Sequence, residues 1–101
     1  MKSLSPKLHM ISILGATRAF VSMSPRDGWP DESPSECSEV LDKMMAHVIN
    51  PDKNPVPKYG SIQLLPTGPI QEISISNGWA DEYLELSSQY DKLAKKLNLF
   101  K

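Results

Sequence analysis

Nine prolines decide where this 101-residue chain can be helical. A proline inside a helix removes a hydrogen bond and clashes with the preceding turn, whereas at the first helical position both costs vanish. Residues 6–24, 34–50 and 69–101 are the long stretches left open to helix between prolines. Two of them start with a matching signal. Ser5-Pro6 and Ser33-Pro34 each pair a capping hydroxyl with a proline whose φ is already helical. Ser33-Pro34-Ser35-Glu36 also has capping-box spacing, in which Ser33 and Glu36 satisfy each other's backbone groups.

The first helix is predicted from about Pro6 to about Met23, stopped by Ser24-Pro25, because the residue before proline avoids helical geometry. Leu8, Ile11, Ile13, Leu14, Phe20, Val21 and Met23 spread around much of its circumference, as in a helix covered on two sides. The apolar run Met10–Leu14 is short enough to be read as a strand instead. Lys2 and Lys7 ahead of Met10–Ala16 loosely imitate a signal peptide, but His9, Ser12 and Arg18 break the pattern, and a buried helix is expected. The second helix is predicted from about Pro34 to Val48. Cys37, Val40, Leu41, Met44, Met45 and Val48 form its apolar face, and Glu36, Glu39, Asp42 and Lys43 take much of the other.

Pro51, Pro55 and Pro57 make residues 50–60 a loop, and Ser61–Leu65 is predicted as a short apolar turn. Pro69 opens a short helix, Ile70 to Ile75, closed by Asn77-Gly78, with Gly78 suited to a left-handed cap. Trp79, Tyr83, Leu86, Tyr90, Leu93 and Leu97 then alternate spacings of four and three, a stripe that should face the core of a small bundle. Asp81, Glu82 and Glu85 early in this helix, and Lys92, Lys95 and Lys96 late, suit its dipole. The expected fold is all-α: a single domain over residues 1–101, with three main helices, one or two short ones and a proline-rich loop at about 50–60.

Chemistry is conspicuous mainly by what the pattern lacks. With 40% hydrophobic and 23% charged residues the chain is globular, and a net charge of −1 offers no basic field for nucleic acid. Cys37 is the only cysteine, so no internal disulfide is possible, and a reducing cytoplasm is the simplest compartment. No apolar run approaches the roughly 18–20 residues that span a bilayer. His9, His47 and Cys37 do not make a metal motif, and neither a phosphate loop nor a nucleophile elbow occurs. Cys37 and His47 are ten residues apart on one predicted helix, about two and three-quarter turns, too far to act as nucleophile and base. Neither an enzyme nor a cofactor is expected.

Two features rise above this background. From Asp27 to Asp42 there are six acids (Asp27, Asp31, Glu32, Glu36, Glu39 and Asp42) against one neighbouring base, Arg26. A solvated helix face explains them; so does a surface complementary to a basic partner, and Asp31, Glu32, Glu39 and Asp42 are then its contact residues. Trp29 and Trp79 each sit beside a glycine, where a tryptophan either pins a turn to the core or anchors an interface.

The run Leu65-Pro66-Thr67-Gly68-Pro69-Ile70-Gln71-Glu72 through Gly78-Trp79-Ala80-Asp81-Glu82-Tyr83-Leu84 resembles the C-terminal signature of small, largely uncharacterised bacterial proteins: P-T-G, then Q-E, G-W and E-Y-L. The Gly28-Trp29 loop and the helix after Ser33 extend the likeness over about Asp27 to Asp91. Proteins of this size and acidity resemble immunity proteins of bacterial toxin systems. The resemblance implies a protein-binding protein that occludes a basic toxin domain, and it carries over no catalytic residue. In the sequence itself, Pro69, Gln71, Glu72, Gly78 and Trp79 are explained by a helix–turn–helix corner. The alternative role is a structural or assembly subunit that self-associates through its C-terminal helix.

Overall fold

A computed structural model describes residues 5–24, 34–57 and 69–97, with Pro34 and Ser35 described by backbone alone. Four helices follow in order: α1 (Pro6–Ser22), α2 (Pro34–Ile49), α3 (Pro69–Asn77) and α4 (Ala80–Leu97). Among the described residues there is no strand, and Met10–Leu14 lies inside α1. The all-α bundle is therefore the fold. Residues 58–68, including the apolar turn predicted at Ser61–Leu65, lie outside the described residues, as do Ser33 of the capping box and Trp29.

The helix ends obey local rules. Ser5 is extended (φ −61°, ψ 152°) and its Oγ accepts the Leu8 N–H at 3.2 Å, with Pro6 at the first helical position. α3 ends in a Schellman turn. Gly78 adopts φ 84°, and the Trp79 N–H reaches back to the Ser74 carbonyl at 2.9 Å. A side chain other than glycine would be strained at that φ.

α1 is the central element and packs against both α2 and α4, which make no close backbone approach to each other. Both flanks run antiparallel to it. Arg18 meets Asp42, and Gly15 lies opposite Met45; on the other side His9 meets Gln89, and Phe20 meets Trp79. The first residues of α1 therefore share one end of the bundle with the last residues of α2 and α4. α3 packs mainly on α4 and touches α1 and α2.

Met10, Ile13, Leu14 and Val21 of α1 are buried against Cys37, Leu41, Met44 and Val48 of α2. Ile70 and Ile73 of α3 and Trp79, Tyr83, Tyr90 and Leu93 complete the core. The stripe predicted for the last helix is thus internal, although Leu86 and Leu97 are only partly buried. Leu8 and Met23, counted on the apolar circumference of α1, point to solvent. Buried polar groups are satisfied: Thr17 Oγ1 donates to the Ile13 carbonyl at 2.8 Å and Ser74 Oγ to the Gln71 carbonyl at 2.6 Å.

Candidate functional site

The solvent side of α2 carries both of the described residues predicted to bind a partner. Cys37, Leu41, Met44 and Val48 turn inward at spacings of three and four, so Glu39, Asp42 and Lys43 must turn outward. The Glu39 side chain is 69% exposed and pairs with Lys43 Nζ at 3.4 Å, one turn on. Asp42 has another partner. Its two oxygens accept from Arg18 Nε at 2.7 Å and Nη2 at 3.3 Å, which fastens α2 to α1. That forked contact also draws the Arg18 guanidinium further toward its charged form, through the hydrogen bond first and the charge second. Arg18 is in turn held by Nη1 donating to Ser22 Oγ at 2.8 Å. The acids from Asp27 to Asp42 are poorly neutralised within their own stretch of sequence; Asp42 is neutralised instead from another helix, by Arg18, 24 residues earlier. Asp31 and Glu32, the other two predicted contact residues, lie outside the described residues.

Beside the Glu39–Lys43 pair the structure holds a groove that the sequence reading did not anticipate. After Asn50 the chain reverses and runs back along the flank of α2. Two side chains hold it there. Asn54 Nδ2 donates to the carbonyls of Ala46 and Asn50, both at 3.1 Å, adding to the backbone N–H groups that these carbonyls already accept at the end of the helix. His47 Nδ1 lies 2.7 Å from the Asn54 carbonyl oxygen, which can only accept, so Nδ1 carries the proton. Between α2 and this returning segment lies an open apolar groove of about 410 Å³, lined by Val40, Lys43, Ala46, Asn54, Pro55, Val56 and Pro57. Val56 is 42% exposed at its edge, and Ile49 stands 60% exposed nearby along the chain. The only advance signal was an asparagine set among prolines shortly after a helix end.

The other singled-out residues are structural. Trp79 stacks on Phe20 with ring centroids 4.9 Å apart, meets Tyr83 edge-on at 6.1 Å, and donates its Nε1–H to Ser24 Oγ at 2.8 Å. Ser24 passes a hydrogen bond to the Phe20 carbonyl at 2.8 Å. The described part of the run from Leu65 to Leu84 therefore builds a corner: Pro69 starts α3, Gly78 turns the chain, and Trp79 and Tyr83 enter the core. Cys37 is a buried free thiol. Burial raises the Tyr83 phenol far above its ordinary value, partly offset by its hydrogen bond to Ser87, and raises Tyr90 to about 12. Such phenols stay protonated at neutral pH and are poor bases. Among the described residues no three of His, Cys, Asp and Glu converge as a metal site would need, and no helix is long and apolar enough to cross a membrane.

No family model, curated protein or solved structure matches the chain.

Proposed function

We propose that this chain is a small, non-enzymatic protein-binding protein, and that its binding face is the outer side of α2 with the segment returning along it. One observation carries the reading: an open apolar groove flanked by an exposed carboxylate on the same helix. Such a face offers an apolar seat for a side chain of the partner and a charged rim, the division of labour found in interfaces between proteins. In its sharpest form the role is that of a cytoplasmic immunity protein. A basic toxin domain is drawn to Glu39, with Asp31, Glu32 and Asp42 as its other contact residues, and is occluded where its substrate phosphates would sit. The likeness to small bacterial proteins and the single, buried cysteine, Cys37, support this version. Pairing of copies through the apolar stripe of the C-terminal helix is less well supported, because Trp79, Tyr83, Tyr90 and Leu93 are already buried within one chain.

The test is capture of a partner from the native host, followed by association kinetics at low and high salt. Exposed charges are screened beyond about 8 Å at physiological ionic strength, so association should slow as salt rises. Glu39→Lys should slow it as well and leave the circular dichroism unchanged, since rim charges mainly set the on-rate. Glu39 is the cleaner probe, as Asp42 also holds Arg18. An acidic partner, or equal on-rates for the variant, refutes the reading.

A further inference from the structure

The two ends of the bundle carry opposite charge, and we propose that copies of this chain associate end to end. The acidic end of one would seat on a shallow hollow at the basic end of the next. The antiparallel packing of α1 between α2 and α4 creates these ends. Lys7 at the start of α1 shares one end with Lys92, Lys95 and Lys96 in the closing turns of α4. At that end lies a shallow hollow of about 170 Å³ lined by Lys7, Val48, Pro51 and Leu97. At the opposite end are Asp81 and Glu82 in the first turn of α4 and Glu36 in the first turn of α2.

Helix dipoles explain only part of this. The preference falls off within the first and last turn, and it disfavours a cation at a helix start. Lys7 sits in the first turn of α1, which has no acid, and so defies its own helix. Partners within the chain absorb only part of the charge. Lys95 pairs with Asp91 at 3.2 Å, but no carboxylate of a described residue lies within ion-pair distance of Lys7, Lys92 or Lys96, and no described base lies within that distance of Asp81 or Glu82. The contact also has an apolar element. Met23, capping α1 at the acidic end, is 72% exposed, and an unbranched thioether can enter a shallow hollow. Because the two faces differ, the contact is head-to-tail and does not close on itself as a two-fold dimer does.

Sedimentation of the full chain over a range of concentrations, at low and high salt, tests this. The mean mass should rise with concentration at low salt and return to that of the monomer at high salt. Lys92→Glu with Lys96→Glu in one variant, and Asp81→Lys with Glu82→Lys in another, should each weaken association by about tenfold or more. An equimolar mixture of the two should associate again. Met23→Ser should weaken association with no change of charge. Several results overturn the proposal: a wild-type chain that stays monomeric at low salt, association indifferent to salt or to the reversals, or binding to vesicles of anionic lipid with no self-association. The reversals lie on α4, away from the α2 groove, so their outcome is separate from that of the partner-binding test.

Discussion

α2 and α4 flank the same central helix, run in the same direction and are of similar length, yet they are fastened to it by different means. α4 is held by rings. Trp79 stacks on Phe20 and meets Tyr83 edge-on, its indole N–H is fixed by Ser24, and Tyr83 and Tyr90 are buried beyond it. α2 presents Cys37, Leu41, Met44 and Val48 to the core, with no ring among them, and adds an exposed ion pair. Aromatic side chains combine large buried area with specific geometry, whereas methionine and cysteine are soft and adaptable. The contrast separates a flank that fixes the bundle from one that can adjust, and the groove lies on the adjustable one.

The largest expected effects come from exchanging the core anchors. Trp79→Ala removes a ring stack, a buried hydrogen bond and most of a core side chain, and should cost about 3–5 kcal/mol. Met44→Leu on α2 keeps volume and should cost less than about 1.5 kcal/mol. Chemical denaturation with both probes measures the difference. Equal losses would mean that α2 is packed as rigidly as α4 and that the contrast is false.

Alkali should single out the ring-bearing flank. Burial raises the pKa of Tyr90 to about 12 and that of Tyr83 further. A raised folded-state value means that the neutral phenol is the form the fold prefers. The associated stability is complete below the ordinary value of 10.0 and is lost as pH climbs through the folded values. In a Tyr59→Phe background, tyrosinate absorbance and loss of helix should therefore rise together above pH 10. Ionisation of Tyr90 near its ordinary value, with helix content unchanged, would place the ring outside the core.

Local signals made most of this fold legible. Ser5-Pro6, Pro69 and Gly78 mark real helix ends, and the stripe from Trp79 to Leu93 marks the buried side of α4, because caps and periodicity act over a few residues. Leu86 shows the limit of the stripe: the repeat assigns it to the core, but where it stands on α4 the neighbouring helices leave it partly exposed. Relations between distant residues were not legible. Arg18 could not be matched to Asp42 without knowing that α1 and α2 run antiparallel, so Asp42 read as unneutralised. Proline spacing marks residues 50–60 as a loop and cannot show that residues 50–57 fold back along α2. His47, whose position on the second helix gave no sign of a loop partner, is part-buried and clips that loop.

Asn54→Ala sharpens the comparison at the groove itself. It deletes two hydrogen bonds at the end of α2 and should cost about 1–2 kcal/mol, since a net hydrogen bond contributes roughly 1 kcal/mol. Hydrogen exchange should quicken across residues 50–57 and the last turn of α2 while the amides of α4 keep their protection. Uniform loss of protection would mean that the two flanks unfold as one unit and that the returning segment is no separate feature.

The smallest effect is expected from the pair that ties α2 to α1. Arg18 and Asp42 form a forked contact, but both side chains face solvent, at 41% and 50% exposure. In such a setting the attraction is screened by water and salt, and ordering two long side chains costs entropy. Arg18→Met should therefore lower the melting temperature only slightly, and the loss should shrink further at high salt. The same change leaves Asp42 without its base, so the acidic side of α2 grows stronger at almost no cost to the fold. If that side attracts a basic partner, Arg18→Met should speed association at low salt, opposite to Glu39→Lys. A variant that unfolds would show that the exposed tie, and not the core, fixes α2. A variant that stays folded and binds no faster would leave the acids of α2 as solvated surface.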